Sequence, residues 1–329
     1  MGDVAMTVPV IKNLLHQNPQ LRVTVVSNAL FQPLFEGLHR CVFYPAHLKL
    51  QHKGITGIVR LYKELKSLGP FQAVADLHNV LRSSLLRTLF QLGGVKNAFI
   101  DKGRKEKKLL TRKENKVCRP LTTTHERYAA VFRNLGFIVK LDTSGAVYGN
   151  AAIPAAARAF FLPGKPVIGI APFAQYKEKM YPLDKMKTVV QHLAATNHLV
   201  LLFGGGTQEV SVLQQWEKEM DSVFNVAGSY SFREELAIIS NLRAMVSMDS
   251  ANMHLASLYN IPVISIWGAT HTFAGFYGWG QSPRNIVEID LYCRPCSVFG
   301  NKPCYRGDHA CMQWIPGEAI LERIRSIVP

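Results

Sequence analysis

Four stretches of this chain set glycine or polar residues directly after an apolar run. In a parallel α/β sheet such stretches sit at the carboxyl ends of strands, where ligands bind. After residues 198–204 come Gly204, Gly205 and Gly206, then Thr207, Gln208 and Glu209. The glycines let a ligand approach the backbone closely, and Glu209 can accept hydrogen bonds from ribose hydroxyls. The same pattern also suits a plain strand-to-helix turn with an acid in the first helical turn. After residues 244–249 comes Asp249-Ser250-Ala251-Asn252-Met253-His254. Small polar residues open a helix there, and its free N–H groups suit a diphosphate. Asp249 can orient the loop or contact a sugar. His254, one turn in, can donate to a phosphate or hydrogen-bond within the core; helix starts of this composition are common. Residues 262–268 lead into Gly268-Ala269-Thr270-His271, another close-approach turn. Residues 166–172 lead into a lysine-bearing loop, and a lysine facing that edge would neutralise charge on a departing nucleotide diphosphate; exposed loop lysines are the plain alternative. Several such loops on one edge fit a nucleotide pocket better than any one alone.

Two further clusters stand out. Cys293, Cys296, Cys304 and Cys311 place four of the six cysteines within nineteen residues. Such a cluster can hold Zn²⁺ or form disulfides, and an intracellular setting disfavours disulfides. Structural zinc and reduced structural thiols both stay open. Residues 101–119 carry nine Lys or Arg against three acids, so six of the fifteen net positive charges lie there. A basic segment attracts nucleic acid, anionic lipid or a phosphorylated substrate, and a solvated loop is the simpler reading. No interleaved aromatic and basic pattern of the RNA-binding kind accompanies it, so no nucleic-acid partner is expected.

The elements that must carry these loops alternate strand and helix. Residues 22–28 and 42–44 read as strands, 55–68 as a helix, 71–77 as a buried strand, and 81–92 and 122–135 as helices. An Ala-, Pro- and Gly-rich stretch over 148–166 is the natural boundary, giving domains 1–150 and 151–329. Five strands follow (166–172, 198–204, 223–228, 244–249, 262–268) with helices near 183–195, 207–220, 232–242 and 251–259. That spacing makes a complete doubly wound domain. The first half is different. It opens with Met1-Gly2-Asp3 and a helix over 6–17, with no strand feeding it.

Hydrophobic residues make up 48% and charged residues 19% of the chain, a globular balance. No apolar run is long enough to span a bilayer, residues 1–20 lack a signal-peptide pattern, and Met6 stands where N-myristoylation wants Ser or Thr. A soluble intracellular protein is the expectation.

Taken in order, MGDVAMTVP (1–9), ADLHNVLRS (75–83), APFAQYKEKMYP (171–182), LLFGGGTQE (201–209) and MDSANMHLASLYNIPVISIWGAT (248–270) resemble glycosyltransferase family 9, the ADP-heptose:lipopolysaccharide heptosyltransferases. The resemblance covers nearly the whole chain, and the late Cys-Arg-Pro-Cys cluster also recurs in relatives. It implies an α/β chain of the GT-B fold: two Rossmann-like domains facing a central cleft, here without the first N-terminal strand. It implies an inverting transfer of a heptose or similar sugar from a nucleotide sugar, ADP-heptose, to a lipopolysaccharide core or lipid A precursor.

The resemblance also implies roles. Asp3, the acid of Met-Gly-Asp, is the general base that deprotonates the acceptor. Lys179, from the Lys-x-aromatic-Pro motif, contacts the donor phosphates. Glu209 binds the ribose, and Asp249, Ser250 and His254 belong to the loop that holds diphosphate and sugar. Gly204, Gly205, Ala251, Gly268 and Thr270 complete the donor set. No resident cofactor and no essential metal are implied, since a helix start and a lysine take the place of a cation. Relatives have Gly at position 251, where the Ala251 methyl narrows the approach. They also carry a strand and loop before Met-Gly-Asp. Asp3 is therefore expected on a frayed end, and the true start is expected on the order of ten residues upstream.

With an anionic, membrane-embedded acceptor, Lys102, Arg104, Lys105, Lys107 and Lys108 would bind acceptor phosphates or hold the enzyme peripherally at the cytoplasmic face of the inner membrane. The rival readings are a GT-B protein with another sugar nucleotide, an epimerase, and a non-catalytic sugar-nucleotide or lipid binder.

Overall fold

The computed structural model describes residues 1–161 and 164–328. Leu162 and Pro163, inside the expected boundary stretch, and Pro329 lie outside the described residues. The chain divides into two compact units. One comprises Asp3–Arg104 with Thr122–Asp142, and the other Lys105–Leu121 with the chain from Thr143 onward. The basic segment is thus divided: Lys102 and Arg104 go with the N-terminal unit and its residues from Lys105 onward with the C-terminal one, a grouping that a single cut at residue 150 does not express.

In the N-terminal unit, a helical turn α1 (Gly2–Ala5) runs into α2 (Thr7–Gln17). Ala5 and Met6 are buried, and the Tyr128 hydroxyl donates to the Asp3 carbonyl at 3.3 Å. The backbone at Asp3 is therefore anchored in a helical turn, not frayed, while its side chain is exposed. Strands β1 (Val23–Ser27) and β2 (Cys41–Pro45) pair in parallel, as do β3 (Ala73–Asp76) and β4 (Lys96–Phe99). They form two separate two-stranded sheets. Both rest on one apolar cluster made by Ile58, Leu61 and Leu65 of α3 (Gly54–Lys66) and Phe90 of α4 (Leu81–Leu92). Val26 of β1 and Val74 of β3 pack on that cluster. Strand β4 is not among the strands expected from the sequence. Its residues, Lys-Asn-Ala-Phe, carry little strand signal by themselves.

The basic segment holds a second unexpected element, α5 (Arg104–Leu110). Its Lys107 and Leu110 lie three residues apart and share one helix face; both are buried. Helix α6 (Thr124–Asn134) returns to the N-terminal unit, with the Thr123 hydroxyl capping its start by accepting from the Glu126 N–H.

The C-terminal unit is a six-stranded parallel sheet in the order β10-β9-β8-β5-β6-β7. Its strands are β5 (Val167–Ala171), β6 (Leu199–Leu202), β7 (Val223–Asn225), β8 (Ala244–Met248), β9 (Val263–Trp267) and β10 (Ile286–Glu288). Every residue of β5, β6, β8 and β9 is buried. Helices cover both faces of such a sheet, so its central strands can be continuously apolar. The helices are α7 (Leu183–Ala194), α8 (Thr207–Glu219), α9 (Phe232–Ile239), α10 (Ala251–Leu258), α11 (Ala310–Gln313) and α12 (Gly317–Ile327). Strands β5 to β9 match the five expected strands, and β10 adds a short edge strand. Strand order reverses between β5 and β8, which places the topological switch point there.

Candidate donor site in the C-terminal unit

Lys179 follows β5 and Asp249 follows β8, so both lie at the switch point. They meet: Lys179 Nζ is 2.9 Å from Asp249 Oδ2, with the side chains 14% and 7% exposed. Screening is weak at such burial, and breaking a pair of this kind by removing one partner costs about 3–5 kcal/mol. The loop is pinned by the aromatic residue of the Lys-Met-Tyr-Pro sequence. Tyr181 is buried, its N–H donates to Met248 Sδ at 3.3 Å, and its hydroxyl donates to the Ile315 carbonyl at 2.9 Å. The aromatic ring is an anchor that lets Lys179, two residues earlier, reach the end of β8.

Helix α10 begins beside this pair. Ser250 is its N-cap but makes no capping bond to the helix. Its hydroxyl instead pairs with Ser247 at 3.0 Å. The first-turn N–H groups of α10, from Ala251 onward, are therefore without a side-chain cap, and the positive end of the helix is left for an anion. His254, one turn in, is buried. Burial first, and then the Lys179 charge, push its pKa down to about 3, so the ring is neutral. Its Nδ1 has no hydrogen-bond partner among the described residues. A neutral imidazole still offers one N–H donor, but not a positive charge, to a phosphate.

The remaining donor-side residues divide. Gly206 adopts φ +83° as the N-cap of α8, and Glu209 Oε2 accepts from the Gly205 N–H at 2.7 Å. Glu209 thus braces its own turn. A Cβ on Gly204 would come within 3.3 Å of Phe173 and of Glu209, whereas one on Gly205 would meet nothing within 4 Å. Gly268 was expected to make room for a ligand; it makes room for Met312 instead. A Cβ there would lie 2.7 Å from the Met312 side chain, so its smallness serves packing against α11. Thr270 is buried and its hydroxyl has no partner among the described residues.

Sequence reasoning passes over Arg294, which stands there only as a residue between two cysteines. In the fold it is 5% exposed and ties the 268–270 turn in place. Its guanidinium donates to the carbonyls of Gly268 (2.6 Å), Thr270 (3.2 Å) and Ile289, and to the Glu288 carboxylate (2.8 Å). The N–H groups of Cys296 and Ser297 both donate to the Ala269 carbonyl, at 3.0 and 3.1 Å. An Arg-Pro step inside a Cys pair is the available signal, since a solvated charge has little reason to sit there.

Cys293, Cys296, Cys304 and Cys311 are free thiols that line one recess together with Arg294 and Tyr305. Burial raises the Cys296 thiol and lifts Cys311 to about 11, so both are protonated near neutrality. Among the described residues, no three His, Cys, Asp or Glu side chains are arranged to hold a metal ion.

Of the five basic residues, Arg104, Lys105 and Lys108 are exposed and Lys102 is half-buried. Lys107 departs from the expected surface role. It is buried, with Nζ 4.3 Å from the centre of the Phe276 ring. The helix turns it inward with Leu110, so it supports packing and cannot face a membrane.

In the N-terminal unit, the loop after β3 is held by Asp76, whose Oδ1 accepts from the N–H groups of His78 and Asn79. Burial lowers the His78 pKa, Lys102 lowers it further, and Asp3 opposes the shift. Asp3, His78 and Lys102 therefore share one electrostatic neighbourhood.

The model of glycosyltransferase family 9 (heptosyltransferase) matches residues 58–303. Lipooligosaccharide heptosyltransferase 2 of Campylobacter jejuni subsp. jejuni serotype O:6 is 26% identical over 169 residues, 50% of this chain and 52% of that protein. Lipopolysaccharide heptosyltransferase 3 of Escherichia coli is 30% identical over 131 residues, 38% of this chain and 37% of that one. The chain thus matches about half or less of the length of these curated relatives. Among solved structures, a glycosyl transferase family 9 protein of Veillonella parvula superposes with TM-score 0.78 at 18% identity, covering 99% of this chain and 94% of that one. E. coli ADP-heptose lipopolysaccharide heptosyltransferase II gives 0.68 at 17%, with 99% and 95% covered. An E. coli heptosyltransferase solved with ADP gives 0.67 at 16%, with 100% and 97% covered. The chain shares the GT-B fold of these proteins.

Proposed function

Because the chain belongs to glycosyltransferase family 9, the heptosyltransferase family, we propose that it transfers a heptose or similar sugar from ADP-heptose to a lipopolysaccharide precursor, with inversion at the anomeric carbon. The observation that carries this reading is the Lys179–Asp249 pair beside the uncapped start of α10. Asp249 holds the ammonium where a donor diphosphate would lie. When the diphosphate arrives, Lys179 and the first-turn N–H groups of α10 take its charge. The acceptor oxygen attacks the anomeric carbon, the bond to the diphosphate breaks, and the electron pair leaves with ADP. Fixed donors aimed at that growing charge lower the barrier, and removing one such donor commonly costs about 10²–10³ in rate. The role that the resemblance implies for Asp3, taking the proton of the acceptor hydroxyl, goes with this reading. The ADP in one structural relative supports the choice of nucleotide. A lipid-borne acceptor puts the reaction at a membrane surface, the cytoplasmic face of the inner membrane, with Arg104, Lys105 and Lys108 as the exposed cations.

The test is a thermal-shift panel of ADP-, GDP- and UDP-sugars, followed by turnover with the one that binds. ADP-heptose is expected to raise the melting temperature and to be consumed, and Lys179→Met to cut turnover roughly 100-fold. Stabilisation by a UDP- or GDP-sugar alone would reassign the donor. Binding of ADP-heptose without turnover on any lipopolysaccharide precursor would make the protein a binder, not a transferase.

A further inference from the structure

Lys179 is held at two places. Asp249 holds its tip, and Gly300, in the loop between Cys296 and Cys304, lies against its stem. Gly300 adopts φ +74°, and a Cβ there would lie 2.5 Å from Lys179 Cδ and closer still to Cγ. Those atoms are the middle of the side chain. Their far end is fixed by the ion pair, so they cannot swing aside without breaking it. Gly300 is in turn fixed by its own loop. Its N–H donates to the Ser297 hydroxyl at 2.9 Å, and that hydroxyl donates to Asn301 Oδ1 at 3.2 Å. Ser297 is fully buried and its backbone is tied to the Ala269 carbonyl. Glu178, the neighbour of Lys179, closes the arrangement: its carbonyl accepts from the Ala269 N–H at 3.4 Å.

We propose that residues 296–301 form a seat for Lys179 and that Gly300 is a positioning residue, acting on the donor diphosphate only through that lysine. Its effect on the donor rests on reading Lys179 as the diphosphate ligand, but the seating itself does not. A glycine is required twice over at this position. A side chain would strain the left-handed backbone and would also occupy the volume of the lysine stem. Gly307 separates the two demands, because it has φ +80° before Cys311 and a Cβ there would meet nothing within 4 Å.

The experiment compares wild type, Gly300→Ala, Gly307→Ala, Lys179→Ala and the Lys179→Ala/Gly300→Ala double variant. Two quantities are read. One is the rate of Lys179 acetylation by dilute acetic anhydride, mapped by mass spectrometry; the other is ADP affinity by calorimetry. Gly300→Ala is expected to raise Lys179 acetylation and to weaken ADP binding about tenfold each, the scale of losing one charge-assisted contact. Gly307→Ala should change neither. In the Lys179→Ala background, Gly300→Ala should weaken ADP no further, since a residue acting through another shows no independent effect. Unchanged acetylation in Gly300→Ala, or an additive loss in the double variant, overturns the proposal. If wild type binds no ADP while Gly300→Ala still unmasks Lys179, the seat stands and the donor reading fails. Should Gly300→Ala not fold, Ser297→Ala, which removes only the supporting hydroxyl, carries the same expectation.

Discussion

His254 shows how burial decides what a residue can contribute. The sequence offers it as a phosphate donor or as a core histidine. In the fold it is enclosed, with its pKa pushed down to about 3 by burial and by Lys179. The folded state therefore resists protonating it, whereas the unfolded chain takes the proton near the ordinary 6.5. Stability from this group is full above pH 6.5 and falls as pH drops below it toward the folded value. One extra proton on the unfolded state gives a slope of at most about 1.4 kcal/mol per pH unit. His254→Gln should flatten the melting temperature of the chain between about pH 6.5 and 4 relative to wild type; parallel pH profiles for the two proteins would contradict the assignment. The Lys179–Asp249 contact, by contrast, joins residues far apart in the chain, and no local period in the sequence shows it. Only the family resemblance points at both partners, and neither spacing nor composition says that they touch.

At the scale of elements, burial on both faces explains what was legible. Strands β5, β6, β8 and β9 are enclosed, so their sequences are apolar except for the buried Ser247 and Ser265, and they stand out at once. Strand β4 and helix α5 are short and polar, and only their packing partners make them regular. The 294–301 loop is hidden in the sequence for a related reason. Arg294 bonds to carbonyls 24 and 26 residues away, so its importance is a property of the fold. Arg294→Met keeps the length and removes every donor, leaving buried acceptors unpaired. The expected loss is about 3–5 kcal/mol, read by urea denaturation. Arg294→Lys should recover only part of it, because one ammonium cannot match a planar fork that serves several acceptors. A loss below about 1 kcal/mol for Arg294→Met would mean that the turn holds without it.

At the scale of the whole molecule, charge and partition matter most. The segment Lys105–Leu121 belongs to the C-terminal unit. It is bound there by Lys116, which donates to the carbonyls of Cys293 (2.7 Å) and Pro295 (3.1 Å), and by Leu110 and Leu121 packing on Ala274. Within it, inward and outward cations should behave differently. The double variant Lys105→Glu/Lys108→Glu should weaken co-sedimentation with anionic phospholipid vesicles and slow transfer to lipid-embedded acceptor, while leaving ADP affinity unchanged. Raised salt should mimic it, because exposed charges are screened over about 10 Å at 0.1 M. Lys107→Met should leave vesicle binding alone. A fall in ADP affinity on reversing the exposed pair would place those lysines at the donor instead.

The two small sheets of the N-terminal unit carry a consequence for handling the protein. With two strands in each, every strand is a margin that has a ladder partner on one side only among the described residues. Such margins are templates for adding a strand from another chain. Mutual repulsion from a net charge of +15 opposes that encounter. Polyanions or concentrated salt that cancel the charge would remove the barrier, so precipitation under those conditions should begin in this lobe, before the six-stranded sheet is disturbed.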